Sequence, residues 1–253
     1  MKNVVLRLTF DGSRYHGWQV QKDDITIAGT IEAALSKLCA HTVKLHGCGR
    51  TDAGVHAKIY CANFKTSSDI PPDRLPQALN SLLPSDIAVQ KAMYAHDDFD
   101  ANLSCIKKEY TYKIFNSRIR DPFLSGRAHF YPQALDVDAI RQAARHFVGT
   151  HDFAAVRSVG TETKTTVRTV HWYDVEQNGP MLELRACADG FLYNMARAMA
   201  GTLLYVSEGK IKPDDLPGLL EQRNRSLTGP TVPPCGLYMT AIWYDDPVNG
   251  LFN

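Results

Sequence analysis

The sequence predicts an α+β protein made of two related halves around a shared cleft. Strand-like segments with alternating apolar residues recur along the chain, and helical segments with one apolar face separate them. A faint internal repeat supports two halves, since TFDGSRYHGW (9–18) and ACADGFLYNM (186–195) both run from a strand into Asp-Gly and then an aromatic residue. AGTIEAAL (28–35) and AGTLLYV (200–206) follow them in the same order.

In the first part of the chain, apolar periodicity predicts strands and helices in turn. The predicted strands are LRLTF (6–10), YCANFKT (60–66) and EYTYKIF (109–115), and the predicted helices are TIEAALSKL (30–38) and PPDRLPQALNSLLP (71–84). Thr30 is the expected N-cap of the first helix, whose apolar face is formed by Ile31, Ala34, Leu35 and Leu38. Because side chains alternate along a strand, Tyr110, Tyr112 and Ile114 share one face.

The later part of the chain predicts a similar set of elements. We expect a helix at DVDAIRQAARHFVG (136–149), a hairpin of TVHWYDVE (169–176) and MLELRACA (181–188) around QNGP, and a long helix within 191–209. The predicted domains are residues 1–105, which carry a glycine-rich loop around Asp52, and residues 106–253, which complete the cleft. Without a low-complexity linker between them, the halves are expected to pack tightly.

Bulk composition indicates a cytoplasmic globular protein. The chain has 253 residues, 28 basic and 27 acidic residues, and six cysteines without a C-x-x-C pair. The opening MKNVVLRLTF alternates like a strand instead of resembling a signal peptide. A net charge of +1 does not by itself predict a nucleic-acid partner. Residues 107–127 are more basic, with six Lys or Arg against two acids, which fits either a solvated surface or a stripe that meets phosphates.

The segment GCGRTDAGVHA (47–57) is the strongest candidate for chemistry. It places Arg50 two residues from Asp52 among three glycines. Glycines permit a tight backbone path and close approach to a substrate, and a neighbouring arginine favours the ionised form of a carboxylate. The pattern therefore fits a preformed catalytic carboxylate. It also fits a structural ion pair that braces a turn, which is the more common role of an isolated R-x-D.

Other constellations predict less. His46, Cys48, His56 and Cys61 lie close in sequence, but their spacing matches no common zinc pattern, so loop or packing roles are favoured over a metal site. A catalytic site with two carboxylates would need a partner acid for Asp52. That partner would have to come from a residue distant in sequence, such as Asp11 or Asp189. Aromatic residues near basic ones suit stacking on unpaired bases or ordinary core packing; they are Tyr15, Trp18, Tyr110 and Tyr112.

Eight ordered motifs carry a resemblance to a known family. They are FDGSRYHGWQVQ (10–21), TIAGTIEAAL (26–35), GCGRTDAGVHA (47–57), KKEYTYKIFN (107–116), HDFAAVRS (151–158), TVRTV (166–170), DGFLYNMARAMAGTL (189–203) and GPTVPPCGLY (229–238). Their order and content resemble the TruA-type tRNA pseudouridine synthases over essentially the whole chain. The GRTDAGVHA segment is the most specific of them.

The resemblance implies a fold and an activity. The fold would be two pseudo-symmetric α+β halves with mixed or antiparallel sheets, flanked by helices, around a central positively charged cleft. The activity would be isomerisation of uridine to pseudouridine at positions 38, 39 and 40 of the tRNA anticodon stem-loop. The family further implies a homodimer that binds tRNA and uses no metal or organic cofactor.

The resemblance also assigns roles to individual residues. Asp52 matches the catalytic nucleophile, and Arg197 matches the arginine that pairs with it. Tyr110 matches a tyrosine that packs on the target base, with proton transfer at C5 as a second role. Arg50 would fill the space that the flipped base leaves, or would brace Asp52. Asn102 stands where the family commonly has arginine, which puts one phosphate contact in doubt, and Ala28 stands where the family often has glutamine.

Two rival functions remain open at this point. One is an RNA-binding protein of the same fold that has lost catalysis or changed target. The Asn102 difference is its only support, and the intact Arg50, Asp52, Tyr110 and Arg197 speak against it. The other is a metal-dependent nuclease or hydrolase that uses Asp52 with His46 or His56. Loss of activity on chelation and strand cleavage would distinguish the second rival.

Overall fold

Helices are interspersed among strands in the computed structural model, which describes residues 1–158, 163–245 and 247–252. Within these ranges the α-helices are α1 (Ile27–Cys39), α2 (Leu75–Asn80), α3 (Val137–Ala144), α4 (Met195–Ser207) and α5 (Leu216–Glu221). The strands are β1 (Lys2–Phe10), β2 (His46–Gly47), β3 (His56–Thr66), β4 (Ile87–Ala95), β5 (Cys105–Asn116), β6 (His129–Tyr131), β7 (Gly149–Asp152), β8 (Val167–Asn178), β9 (Met181–Ala188) and β10 (Leu237–Tyr244). The predicted α+β class is confirmed.

The chain forms two compact units. Unit 1 comprises Met1–Lys108 together with Tyr238–Asn253, and unit 2 comprises Glu109–Leu237. Unit 1 therefore includes most of β10, which comes from the end of the sequence. The predicted domains 1–105 and 106–253, and the charged cleft between them, stay predictions.

Unit 1 is a mostly antiparallel sheet with α1 and α2. Its strand order is β4-β1-β3-β10, with β2 added on β3. Strand β1 pairs antiparallel with both β3 and β4, and β10 runs parallel to β3. The run Val4, Val5 and Leu6 is buried on both faces, as expected of an inner strand.

The first helix begins earlier than the sequence suggested. Thr26, not Thr30, is the N-cap of α1, and its hydroxyl oxygen accepts from the Gly29 N–H at 3.3 Å. The Thr30 hydroxyl instead donates to the Thr26 carbonyl at 2.9 Å. The earlier start adds Ile27 and Ala28 to the buried face. Leu38, predicted to face inward, is only half-buried, and Cys39 takes that place.

Unit 2 repeats the combination of a sheet with helices. Its strand order is β5-β9-β8-β7, and β6 runs parallel to β5. The predicted hairpin is confirmed as β8 and β9, which pair from Val170↔Ala188 to Asn178↔Met181. Its turn contains Gly179 at φ +56°.

None of the helices in the described ranges is long and apolar enough to cross a membrane.

Candidate active site

The Asp52 loop connects β2 to β3 and ends in a tight turn. The Val55 N–H donates to the Asp52 carbonyl at 3.1 Å, and Gly54, the third residue of this turn, has φ +78°. A positive φ at the third position is what a type II turn requires, which explains a glycine there. Asp52 is half-buried at the start of the turn, whereas the Arg50 side chain is exposed.

The first glycine-rich loop, DGSRYHGWQ (11–19), follows β1 and lies directly against the Asp52 loop. Main-chain bonds join the two: the Trp18 N–H donates to Thr51 at 3.1 Å, and the Gly54 N–H donates to Tyr15 at 3.2 Å. A Cβ on Gly17 would lie 2.3 Å from the Thr51 oxygen, so only glycine allows this approach. Main-chain hydrogen bonds to the first glycine-rich loop thus hold one side of the backbone around Asp52.

Side chains hold the other end of the same loop. Lys108 Nζ donates to the Cys48 carbonyl at 2.6 Å, and the Tyr60 hydroxyl donates to the Gly49 carbonyl. These two carbonyls belong to the residues directly before Arg50. The segment that leads to Arg50 and Asp52 is therefore fixed by two hydrogen bonds from buried side chains.

The basic stretch predicted at residues 107–127 is not one continuous surface. Lys108 is buried, and Lys113 forms an ion pair with Glu183 at 2.9 Å. The exposed members are Arg118, Arg120 and Arg127. Alternation along β5 explains the split, because Lys108 shares the buried face with Tyr110 and Tyr112.

The aromatic residues of the first loop serve packing. Trp18 is buried with its ring centroid 4.3 Å from that of Tyr60, and Tyr15 is buried with its hydroxyl donating to Asp86 at 2.7 Å. Of the two roles considered from the sequence, the geometry favours core packing over stacking on a base for both residues.

The four His and Cys residues near Asp52 do not resemble a metal centre. His46 is exposed with its ring nitrogen 3.6 Å from Asp100. His56 is buried, its Nδ1 accepts from the Gly12 N–H at 3.1 Å, and its ring stacks on Tyr238 at 4.5 Å. Burial raises the pKa of Cys48 to about 11 and raises the pKa of Cys61 as well. Among the residues that the structure describes, no group of three or more His, Cys, Asp or Glu side chains could hold a metal ion.

Tyr110 lies on the buried face of β5 in unit 2. Phe191 meets its ring edge-on, with centroids 4.9 Å apart and planes at 82°. Tyr112, on the same face, donates from its hydroxyl to the Pro233 carbonyl at 2.8 Å, and burial raises its pKa. Tyr112 is thereby engaged in the fold of unit 2.

Arg197 lies in the first turn of α4 and is half-buried. Its Nε donates to the Val232 carbonyl at 2.8 Å, and one terminal nitrogen donates to Asn194 Oδ1, also at 2.8 Å. Two atoms of a planar group are thus fixed, which sets the orientation of the whole guanidinium.

The predicted site residues are divided between the units. Asp52 and Arg50 belong to unit 1, whereas Tyr110 and Arg197 belong to unit 2. The pairing of Asp52 with Arg197 stays a prediction. Sequence reasoning missed Lys108 and Asn194, which hold the backbone before Arg50 and the guanidinium of Arg197. The period-two pattern of β5 could have revealed the buried position of Lys108.

Comparison with known proteins gives a consistent result. A family model described as tRNA pseudouridine synthase matches residues 8–102 and 143–245. A protein of Caldicellulosiruptor bescii named tRNA pseudouridine synthase A is 46% identical over 244 residues, covering 96% of this chain and 100% of the relative. A protein of the same name from Acetivibrio thermocellus is 42% identical over 244 residues, with the same coverage. A solved Cbf5–Nop10–Gar1 complex is similar at TM-score 0.40 and 11% identity, covering 95% of this chain and 59% of that one, a likeness too weak to support a conclusion.

Proposed function

We propose that this chain, which belongs to the tRNA pseudouridine synthase family, isomerises uridine at positions 38, 39 and 40 of the tRNA anticodon stem-loop with Asp52 as nucleophile. The chain is an isomerase that acts on tRNA, as its relatives are. The observation that carries the finer proposal is the Asp52 loop. It presents a half-buried carboxylate on a backbone fixed at Cys48, Gly49, Thr51 and Gly54.

The reaction needs one carboxylate and no redox partner. The N1–C1′ bond of uridine breaks, the uracil turns, and C5 bonds to C1′; the proton on C5 is lost and N1 gains one, so the product is an isomer of the substrate. A carboxylate nucleophile can attack C1′ or C6, or act with a glycal-like intermediate, and each route begins with an ionised Asp52. Arg197 supplies the positive partner that a carboxylate needs in a dry site.

Arg50 and Tyr110 assist the flipping and binding of the target uracil. A uridine in or beside a stacked stem must be flipped out, which costs a few kcal/mol. The exposed Arg50 side chain fills the vacated space, since a planar guanidinium can stack and hydrogen-bond at once. Tyr110, held edge-on by Phe191, packs on the flipped uracil and serves second as acceptor of the C5 proton.

The proposed partners are tRNA and a second copy of the chain. Phosphate contacts supply most of the affinity for a nucleic acid, so binding should weaken steeply as salt rises. The exposed arginines 118, 120 and 127 are candidates for these contacts. Affinity that stayed flat from low to high salt would contradict this part of the proposal.

Tritium release from unmodified tRNA that carries [5-³H]uracil tests the reaction. We expect release by the wild type, undiminished by EDTA, and none by Asp52→Asn. Asp73→Asn, which alters an exposed carboxylate of the same unit, is the matched control and should release tritium normally. Carbodiimide modification followed by primer extension should place pseudouridine at positions 38 to 40. Release by Asp52→Asn at the wild-type rate would show that Asp52 is not the nucleophile. If the wild type binds tRNA but releases no tritium, the chain would be better described as an RNA-binding protein.

A further inference from the structure

Asn194 has an unusual backbone conformation for its place in the fold. Its φ is +61° and its ψ is +7°, which lie in the left-handed region that residues other than glycine rarely adopt. Two other such residues occur in the described part of the chain, Ala40 and Arg223, and both follow the C-terminal end of a helix. Left-handed residues are common there because they end helices. Asn194 instead precedes α4, where no such reason applies.

The Asn194 side chain does not cap the N-terminus of α4, which is the usual role of an asparagine at this position. Asparagine before a helix normally accepts from a backbone N–H of the first turn, which stabilises by about 1 kcal/mol. Asn194 makes no such bond to α4, all of whose residues the structure describes. Its Oδ1 accepts from Arg197 at 2.8 Å, and its Nδ2 donates to Ser158 Oγ at 3.0 Å.

The two acceptors described for Arg197, the Val232 carbonyl and Asn194 Oδ1, are themselves held in place. Val232, which accepts from Arg197 Nε, precedes Pro233, whose carbonyl accepts from the buried Tyr112 hydroxyl at 2.8 Å. Ser158 is fixed next to Asn194 because its N–H donates to the Tyr193 carbonyl at 3.0 Å. Two supported acceptors therefore help to set the direction of the guanidinium, and one of them is the side chain of a residue with a left-handed backbone.

We propose that Asn194 is a positioning residue for the isomerisation, because its left-handed backbone turns the amide oxygen onto Arg197 and sets the direction of that guanidinium. This inference rests on the proposed function, in which Arg197 serves Asp52. A local conformation that costs stability and forfeits a helix cap is expected where function requires the geometry. Asparagine suits the position because it tolerates φ above zero and offers both a donor and an acceptor.

Asn194→Gly separates positioning from a structural role. Glycine adopts a positive φ without strain but removes the amide. If the residue served only the backbone, the variant would keep full activity. If it positions Arg197, the single-turnover rate of tritium release should fall by about 10- to 100-fold, the size expected for a small misplacement of a reacting group. The dissociation constant for tRNA should change by no more than about 2-fold and the melting temperature by a few degrees, since neither depends on the direction of the guanidinium.

Ala40→Gly is the matched control. It places glycine at a second left-handed position, φ +56°, and removes only a methyl group far along the chain from Arg197. Its single-turnover rate should stay within about 2-fold of wild type, because it removes no group that acts in the proposed reaction. A similar loss in both variants would overturn the proposal.

A double-mutant cycle with Arg197→Lys tests the route of the effect. Lysine keeps the charge but not the planar fork, so Asn194 has nothing left to orient. Asn194→Gly should therefore lower the rate of Arg197→Lys by less than about 2-fold. Full additivity, a wild-type rate for Asn194→Gly, or a loss of folding stability that parallels the loss of rate would each overturn the inference. If wild type releases tritium and Asp52→Asn does not, the proposed function stands even where Asn194 fails.

Discussion

Lys108 donates from Nζ to the main-chain oxygen of Cys48 at 2.6 Å, although only 8% of the residue is exposed. A Cβ on the neighbouring Gly49 would lie 3.3 Å from the same Nζ, so the amino group lies against the backbone of the Asp52 loop. Cys48 precedes Asp52 by four residues. A residue on β5 thus supports the loop that carries the proposed nucleophile.

Lys108→Met should destabilise the protein by about 1–3 kcal/mol, because the buried Cys48 carbonyl would lose its donor. Lys107→Met is the matched control. Lys107 Nζ lies 4.9 Å from the Trp243 ring centroid, a contact whose loss costs about 1 kcal/mol or less. Urea unfolding of both variants measures the difference. Equal stability of the two variants would show that the bond to Cys48 contributes little.

Gly17→Ala should be strongly destabilising, while Gly209→Ala should cost only about 1–2 kcal/mol. Both glycines have a positive φ, +78° and +71°, so both substitutions strain the backbone. Only at Gly17 would the added Cβ also meet the Thr51 carbonyl, at 2.3 Å, whereas at Gly209 no described atom lies within 4 Å. Thermal melts compare the two. Similar melting temperatures would mean that the loops can separate without loss of stability.

Alkaline pH should weaken folding in part through Cys48. Burial raises the pKa of this thiol from 9.0 to about 11, an effect that the nearby Lys108 charge partly offsets. Between these values the unfolded chain ionises at Cys48 and the folded chain does not. The contribution of Cys48 is therefore complete below about pH 9 and is lost as the pH rises toward 11, by about 3 kcal/mol in all. Cys48→Ala should lose less unfolding free energy than wild type between about pH 8 and 10.5. Parallel curves from urea unfolding would contradict this.

Periodicity in the sequence predicted the elements well where a face is buried. The hairpin of β8 and β9 and the buried face of β5 follow from alternation alone. The start of α1 did not, because Thr26 and Thr30 are both good N-caps and only packing of Ile27 decides between them. The inclusion of β10 in unit 1 depends on pairing with β3, a contact between distant segments that local patterns do not encode.

Sequence motifs could name the residues of the candidate site, but they could not name the residues that hold those residues in place. Family motifs singled out Asp52, Arg50, Tyr110 and Arg197. They could not show that Lys108 turns inward from a basic stretch, since charge alone predicted an exposed surface. They also could not show the left-handed backbone of Asn194, because asparagine before a helix ordinarily predicts a cap.

Arg50→Ala should slow the reaction most on substrates whose target uridine is paired. If the guanidinium fills the place of the flipped base, its loss leaves the unstacking cost of a few kcal/mol uncompensated. The defect should shrink on a stem-loop with the target uridine opposite a mismatched base, which is already easier to flip. Arg50→Lys should not restore the rate, because an ammonium cannot stack. Single-turnover tritium release on both stem-loops tests this, and an equal defect on the two would assign Arg50 to bracing Asp52 instead.

Asn102→Arg should strengthen tRNA binding at low salt. Asn102 is exposed, and its N–H donates to Asp100 Oδ1 at 2.9 Å, so the turn holds through its backbone and the side chain can be exchanged. An added phosphate contact releases about one more counterion, which should make the slope of log affinity against log salt steeper by about 1. Asn102→Gln is the control for side-chain length and should leave the slope unchanged. Filter binding over a range of salt concentrations measures both variants. Identical slopes for Arg and Gln would mean that position 102 does not face the RNA backbone, and the difference from the family at this residue would then carry no consequence for binding.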